Sequence, residues 1–414
     1  MGTYHHRHRW HAVLASSVLV LVFIITWQTP LTRTSESLKY SDSKPESFRE
    51  VLSPARIDST AVQSLPQSHA QKTATTELTT AGAFADPTYL PGTTSNRESS
   101  ISRTLVVAAT FHEDTGWIMR QLGGDAHLHK AIYVVDDPTA EYAIPNNKGH
   151  EVMVYLTHII DHYNNLTDIV VFMHAHRVTW HNNDLLESDS AKMVKHLSSE
   201  RVIREGYMNM RCHLDPGCPA HIRPLTDEDD INVPEAVTIG RAWKELFPQQ
   251  EVPEVLSQPC CAQLAVSRDR IRALPQEQYI FFRDWLLQSP LEDRIAGRIF
   301  EYVWQYIWTG SYEFCPKEHI CYCDGYGVCF GGEDEYALYF ALRDESRKIR
   351  EEVQQLEDYD AGDRDPEYGR SLVEHAEEVE EQMAEMKDRA VERGRLAKHR
   401  ADEAGRPWME GDGF

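Results

Sequence analysis

Two apolar runs in the middle of the chain each end abruptly in a cluster of polar side chains. The first run, residues 131–135, ends at a pair of aspartates, and the second, residues 168–173, ends in the sequence His-Ala-His-Arg. A segment whose apolar residues have helical spacing lies between them. This alternation predicts an α/β fold with a mostly parallel, open sheet and flanking helices. In such a sheet the ligand site lies at the carboxyl ends of the strands.

The predicted elements follow from the period of the apolar residues, which is near 3.6 for helices and 2 for half-buried strands. They are a strand at 105–110, a helix at 114–122, a strand at 132–135, a helix at 151–163 and a strand at 169–173. Beyond residue 184 the pattern is mostly helical, most clearly at 279–287 and 293–308. The second of these helices is rich in aromatic residues, which we expect to pack in the core against the sheet.

The N-terminal region predicts a membrane anchor. Residues 12–32 carry no charge and are nearly all apolar from 13 to 27, which is long enough to span a bilayer. Arg7 and Arg9 precede this run, so residues 1–11 are expected to be cytosolic and the remainder lumenal. The alternative is a cleaved signal peptide, but no small-x-small cleavage site follows the apolar run. Residues 33–102, rich in Ser, Thr and Pro, are expected to form a disordered stem.

All eight cysteines lie between residues 212 and 329, on the predicted lumenal side of the anchor. An even number of cysteines in an oxidising compartment indicates disulfides, whose pairing the sequence does not reveal. The alternative is a zinc site, for which the spacing lacks the usual paired C-x-x-C motifs. Asn165 begins a glycosylation sequon that this orientation would expose to the lumen. These features predict a single-pass type II membrane protein of the secretory pathway.

The folded region is predicted to span residues 103–332 and to be followed by an acidic helical tail, 333–414. The net charge of −23, about half of it in the tail, argues against nucleic acid as a partner. Apolar residues between 372 and 390 have heptad spacing, which would permit weak self-association through this helix. The favoured interpretation is instead a solvated helix or a disordered tail, because alanine and methionine are poor seam residues.

Four residues are candidates for binding a nucleotide. Asp136 and Asp137 end a predicted buried strand, where a carboxylate can bind a ribose hydroxyl or a base edge. An equally good interpretation is a turn, since Asp-Asp-Pro is a strong turn initiator. Lys148 lies at the start of the second predicted helix, where free backbone N–H groups and a cation suit phosphate. Arg177, just past the third strand, could neutralise a diphosphate.

Three histidines near the end of the third predicted strand are candidates for a metal site. His174 and His176 are two residues apart, so both would face the same side of an extended strand, and His181 could supply a third contact. Neutral imidazole is a good ligand for zinc, manganese and similar metals. The alternative is that these histidines are partly buried and bonded to the backbone.

Two carboxylates are candidates for the catalytic base. Glu301 lies in the aromatic helix, three residues after Arg298, and is either brought over the sheet as a catalytic group or is simply the partner of that arginine. Asp284 lies in the preceding predicted helix. Either carboxylate could accept the proton of a substrate hydroxyl.

Six sequence blocks, in order, resemble a fungal family known only as a domain of unknown function, number 3431. The blocks lie at 105–117, 147–163, 172–181, 206–218, 260–268 and 297–304. The resemblance covers about residues 103–330, and the chain departs from the family pattern at Gln305, where a histidine is expected.

The arrangement is also similar to glycosyltransferases of the A-type fold. In those enzymes acids after the early strands contact the nucleotide, and a later strand ends in an Asp-x-Asp that holds a divalent metal. His174-x-His176 stands in that place here. The resemblance implies a lumenal enzyme, most typically of the Golgi, that transfers a sugar from a nucleotide-sugar donor to a glycan acceptor, with Mn²⁺ or another divalent metal. The alternatives are a metal-dependent hydrolase that uses the histidine cluster, and a non-catalytic binding or scaffold protein.

Overall fold

The computed structural model describes residues 100–226, 233–358 and 366–414. The predicted cytosolic segment, the anchor at 12–32 and nearly all of the stem lie outside these residues. Within the described ranges, no helix has the length and apolar character needed to cross a membrane. The elements in chain order are β1 (Arg103–Ala109), α1 (Gly116–Leu122), β2 (Leu128–Val134), α2 (Glu151–His162), β3 (Ile169–His174), α3 (Ser190–His196), α4 (Ser199–Glu205), β4 (Tyr207–Asn209), α5 (Ala236–Leu246), β5 (Leu264–Ser267), α6 (Arg268–Arg272), α7 (Gln276–Gln288), α8 (Asp293–Glu301), α9 (Trp304–Thr309), α10 (Glu318–Tyr326), α11 (Glu333–Asp358), α12 (Pro366–Gly394) and α13 (Ala397–Glu403).

The five strands form one sheet in the order β2-β1-β3-β5-β4. Strand β1 pairs in parallel with both β2 and β3, as the alternation of strands and helices predicts. Strand β5 pairs antiparallel with β3 and with β4. The sheet is therefore mixed, with helices on its flanks, and the prediction of a mostly parallel sheet holds only for its β2-β1-β3 part. The sequence pattern missed β4 and β5 because they are short and lie in a region that is otherwise helical.

Alternate residues of the strands enter two separate cores, one on each face of the sheet. On β1, Val106 packs with α2 and with the aromatic residues of α5 and α7–α9, whereas Leu105 and Val107 pack with α1, α3, α4 and α10. A strand that is buried on both faces reads as a continuous apolar run, which is why these strands were visible in the sequence. The aromatic residues expected in the core are indeed buried, and they are Phe300, Tyr302, Trp304, Tyr306 and Trp308.

The aromatic segment predicted as one helix is in fact two, α8 and α9. In a continuous helix the backbone carbonyl of Glu301 would accept the N–H of residue 305. Here the side-chain amide of Gln258 donates to that carbonyl instead. The competing hydrogen bond coincides with the break between the helices, and it leaves the Glu301 side chain at the end of α8.

All eight cysteines form disulfides, which confirms that expectation and excludes the zinc alternative. Cys212–Cys321 and Cys218–Cys315 join the segment after β4 to the region of α10. Cys323–Cys329 closes the end of α10, and Cys260–Cys261 links two neighbours in the chain. No cysteine is free.

The helices that follow residue 332 pack against the folded domain. Helices α11 and α12 are antiparallel, with Tyr368 bonded to Glu352 and Glu380 bonded to Ser346. The heptad residues predicted to be solvated are instead buried or partly buried, and Met386 and Ala390 belong to the same core as α1 and β1. The seam is covered within the chain by α11 and the domain, so the interpretation as a solvated or disordered tail is wrong for the described part of this region.

Candidate functional site

A cavity of about 300 Å³ lies at the carboxyl edge of the parallel strands. The register places Ala108 of β1 opposite His174, the last residue of β3, so these strands end side by side. The remaining walls come from the loops after β1 and β2 and from the first residues of α2 and α8. The lining residues are Ala108, Ala109, Thr110, Glu113, Val135, Asn147, His150, Glu151, His174 and Asp293.

The cavity is lined mainly by acceptor groups. Glu113, Glu151 and Asp293 contribute carboxylates, and His150 and His174 contribute imidazoles. Among the lining residues, all of which belong to the described part of the chain, there is no lysine or arginine. Carboxylates concentrated in a concave, partly desolvated site repel anions and attract cations. A ligand with a phosphate could therefore occupy this cavity only together with a cation.

Gly149 allows α2 to begin at the cavity wall. It has φ of +72°, in the left-handed region, and a Cβ at this position would lie 2.7 Å from a methyl carbon of Leu286 in α7. The close approach of α7 therefore requires a residue without a side chain here. As a result His150 and Glu151, the next two residues, face the cavity at the N-terminus of α2.

The geometry defines which nitrogen of His174 carries the proton. Its Nε2 lies 2.6 Å from the backbone carbonyl oxygen of Cys261. Because a carbonyl only accepts hydrogen bonds, Nε2 must be the donor, which leaves Nδ1 of the neutral ring with a lone pair. This is the arrangement in which a histidine binds a metal while its other nitrogen is held by the protein.

Cys261 also contacts Glu301, so that one residue joins the histidine to a buried carboxyl. The backbone N–H of Cys261 donates to Oε1 of Glu301. Burial raises the pKa of Glu301 to about 7; the hydrogen bond from Cys261 lowers it, and the nearby charge of Glu151 raises it further. Arg298, the alternative partner of Glu301 in the sequence, instead donates to Glu235 at 3.0 Å. Glu301 itself does not line the cavity.

The other two histidines predicted as metal ligands differ in their surroundings. His176 is exposed, and its Nε2 is 3.4 Å from a carboxylate oxygen of Glu113. The ring of His181 is 5.0 Å from that of His174. Burial, aided by the charges of His174 and Arg211, lowers the pKa of His181 to about 3, so this ring is neutral at physiological pH.

The three histidines do not form a ready three-ligand cluster. Within the described ranges, the groups of three potential ligand atoms that lie within 4.8 Å of one another are Cys260–Cys261–Glu301 and Cys323–Cys329–Glu403. Each of these groups contains a disulfide, whose sulfur atoms are not thiolate ligands. The other potential ligands that share the cavity with His174 are three carboxylates and the imidazole of His150, and no three of these residues form such a group either.

The model of a protein family of unknown function, DUF3431, matches residues 105–324, just over half of the chain. The chain belongs to this family. No curated protein and no solved structure matches it. The match contains every residue that lines the cavity as well as Cys260, Cys261 and Glu301, and it ends before α11 and α12.

In this DUF3431 protein the predicted nucleotide-binding residues are engaged in contacts within the chain. Asp136 accepts the backbone N–H of Phe111 at 2.7 Å and so ties together the loops after β1 and β2. Asp137 accepts two hydrogen bonds from Thr139, as the turn interpretation predicts. The two cations are also occupied, since Lys148 donates to the carbonyl of Ser289 and Arg177 pairs with Asp189 at 2.7 Å. Asp284 lies in α7 and does not line the cavity.

None of the three carboxylates that line the cavity was predicted as a metal ligand. Glu113 follows the first strand, and Glu151 begins the second helix, so the rule that ligands bind at strand ends could have found both. Asp293 and the disulfide loop before β5 come from parts of the chain more than 80 residues past β3. No local pattern marks them as neighbours of His174.

Proposed function

We propose that this protein is a lumenal glycosyltransferase-like enzyme that transfers a sugar from a nucleotide-sugar donor and uses a divalent cation. The observation that carries the proposal is the acid-lined cavity at the carboxyl ends of β1 and β3. Open α/β sheets bind their ligands at this edge. The lining contains no lysine or arginine to neutralise a diphosphate, so we assign that role to a cation.

The side chains of the cavity fit a hard divalent ion such as Mn²⁺. Carboxylate oxygens with one imidazole nitrogen are a suitable donor set for this ion. Glu113 and Glu151, together with Nδ1 of His174, are the groups that would hold it. Among the described residues no three ligand atoms of this cavity lie within 4.8 Å of one another, so these side chains would have to close around the ion. When bound, the ion would neutralise the charge that develops on the leaving diphosphate.

The chain's own residues orient the substrates in this scheme. Asp136 holds the loops after β1 and β2 against each other at the edge where the nucleoside would lie. The N-terminus of α2 lies at the cavity wall, and the positive end of the helix dipole favours phosphate oxygens there. Glu301 does not line the cavity, and a carboxylate bound to the cation is a poor base. We therefore assign deprotonation of the acceptor hydroxyl to the third lining carboxylate, Asp293.

The proposed compartment is the lumen of the secretory pathway. Four disulfides within one domain are typical of proteins that fold in an oxidising environment. Asn165 is exposed in the turn between α2 and β3, where a glycan could be attached without disturbing the core. Residues 12–32 would supply the membrane anchor.

The test is a thermal-shift screen of the full chain, produced in an oxidising host, with nucleoside diphosphates and nucleotide sugars, each with and without Mn²⁺. A ligand at 100 times its dissociation constant stabilises the folded state by about 2.7 kcal/mol, which is readily seen as a rise in melting temperature. The variant Glu151→Gln should abolish the shift. Asp284→Asn is the matched control, because Asp284 is outside the cavity and its replacement should leave the shift unchanged.

Each outcome distinguishes among the possible functions. A shift that requires both nucleotide and Mn²⁺, and that is lost in Glu151→Gln, supports the transferase and identifies its donor. A shift with metal alone favours a metal-dependent hydrolase in the same cavity. No shift with any ligand would refute the proposal and favour a non-catalytic binding protein, in which self-association through the C-terminal helices should be tested by sedimentation.

A further inference from the structure

The disulfide between the neighbouring residues Cys260 and Cys261 is next to the cavity, and the function described above does not use it. Cys261 has φ of +86° and Ala262 has φ of +46°. Both values are in the left-handed region, which residues with a side chain rarely adopt. Two such residues in succession persist only where the surrounding structure holds them there.

The rest of this loop is held by contacts that do not depend on the disulfide. The N–H of Cys260 donates to the carbonyl of Pro216 at 3.1 Å, and the hydroxyl of Tyr155 donates to the carbonyl of Ala262 at 3.1 Å. Gln263 donates to the side chain of Asn182 at 2.9 Å. The segment is thus anchored on both sides, and Cys261 itself is held by the S–S bond together with its hydrogen bonds to His174 and Glu301.

Cys261 is also the residue that orients the site. Its carbonyl accepts from Nε2 of His174, and its N–H donates to Glu301. If Cys261 relaxes towards negative φ, the peptide groups on either side of it rotate. At least one of these two hydrogen bonds is then lost. Without the bond to Cys261, His174 is no longer fixed in the tautomer that has its proton on Nε2 and its lone pair on Nδ1.

We propose that the Cys260–Cys261 disulfide is a redox-sensitive positioning element that keeps His174 in its ligand-binding tautomer, and that its reduction switches the site off. This inference rests on the proposed function for its biological consequence. The reaction is thiol–disulfide exchange with a dithiol reductant. The S–S bond takes two electrons and two protons to become two thiols, and the dithiol becomes a disulfide. Cys261 is partly exposed, so a thiolate has access to the bond.

The experiment compares the full chain with the double variant C260S/C261S, which has no S–S bond at this site. The readout is ¹⁵N NMR of histidine-labelled protein at pH 8, with the His174 signals identified by their loss in His174→Gln. The wild type should show only the Nε2–H tautomer of His174, and the double variant a mixture of both tautomers. Mn²⁺ affinity, measured by titration, should fall about 10- to 100-fold in the double variant, as for the loss of other groups that orient a ligand.

The matched control is C323S/C329S. This disulfide closes a loop of only six residues and does not line the cavity, so its removal also costs little chain entropy. The control should keep the Nε2–H tautomer and the Mn²⁺ affinity of the wild type. If C260S/C261S does not fold, the same spectra are recorded on folded wild-type protein treated with a dithiol, with the reduced cysteines identified by mass spectrometry.

The outcomes separate this inference from the proposed function. A change of tautomer together with weaker Mn²⁺ binding supports both. A change of tautomer in a protein that binds no Mn²⁺ in either state supports the positioning role and refutes the metal-dependent transferase. An unchanged Nε2–H tautomer in the reduced loop overturns the inference, whatever the Mn²⁺ affinity is.

Discussion

The buried carboxyl of Glu301 makes a specific prediction about how stability depends on pH. Burial, opposed by the hydrogen bond from Cys261, raises its pKa from the ordinary value of 4.5 to about 7 in the folded protein. Between these two pH values the folded state binds more protons at this site than the unfolded state does. The free energy of unfolding must therefore fall as the pH rises from about 4.5 to about 7, and it should then level off.

The size of the effect follows from the shift itself. Each unit of difference between the folded and the ordinary pKa of Glu301 is worth about 1.4 kcal/mol. The free energy of unfolding should therefore fall by roughly 3 kcal/mol across this range. The substitution Glu301→Gln keeps an oxygen that can accept the Cys261 N–H but removes the titration. Relative to this variant, the wild type should become less stable by roughly 3 kcal/mol between pH 4.5 and pH 8. Urea denaturation of both proteins across this range measures the difference directly.

Glu318 provides a control of opposite sign. Burial acts to raise its pKa, but hydrogen bonds with His213, Tyr336 and the N–H of Leu214 outweigh burial and hold the pKa at about 2. Its contribution to stability is complete above its ordinary pKa and is lost only in acid, so Glu318→Gln should cost a constant amount between pH 5 and pH 8. The difference in the free energy of unfolding between wild type and Glu301→Gln should vary with pH, unlike that for Glu318→Gln. If it is instead independent of pH between pH 5 and pH 8, the carboxyl of Glu301 is already ionised at pH 5, and the argument from burial is refuted.

Two further substitutions test the packing that supports the site. Asp324→Ala should lower the free energy of unfolding by about 3–5 kcal/mol in urea denaturation, because the buried carboxylate pairs with Arg204 at 2.7 Å and with Arg406 of the C-terminal segment at 2.9 Å. Removing the exposed partner of Arg389, in Glu385→Ala, should cost less than about 1 kcal/mol, and equal costs for the two would contradict this account. Gly149→Ala should cost about 1–3 kcal/mol and weaken Mn²⁺ binding, since the added methyl group meets Leu286 beside the cavity. Gly405 has a similar φ of +67°, and a Cβ there would have no neighbour within 4 Å, so Gly405→Ala should show only the backbone part of that cost. An identical loss of stability in both variants would exclude a contribution from the contact with Leu286.

The sequence predicted the part of the fold that local patterns encode. Strands β1 and β3 are buried on both faces, so they appear as unbroken apolar runs, and the amphipathic α2 between them implies parallel pairing. The bounds of these elements agree with prediction to within a few residues. Strand β4 has three residues and β5 has four, too few for a period to be recognised, so half of the strand pairings were missed.

The position of His174 was predicted, but the composition of the cavity was not. His174 ends β3 at the expected edge of the sheet, and it does line a cavity. The cations that seemed suited to phosphate are instead bound to other parts of the protein, Arg177 to Asp189 and Lys148 to Ser289. A charged side chain near a strand end has several possible partners, and its choice among them depends on residues distant in the chain.

The sequence by itself thus determined the α/β class, the position of His174 at the end of β3, the aromatic core and the oxidation of the cysteines, because each follows from composition or from a short-range period. The tertiary structure alone decided the antiparallel half of the sheet, the pairing of the disulfides, the burial of α12 and the placement of Asp293 and Cys261 beside His174. These depend on contacts between segments tens to more than a hundred residues apart. Such contacts depend on how the whole chain packs, and no local pattern records them.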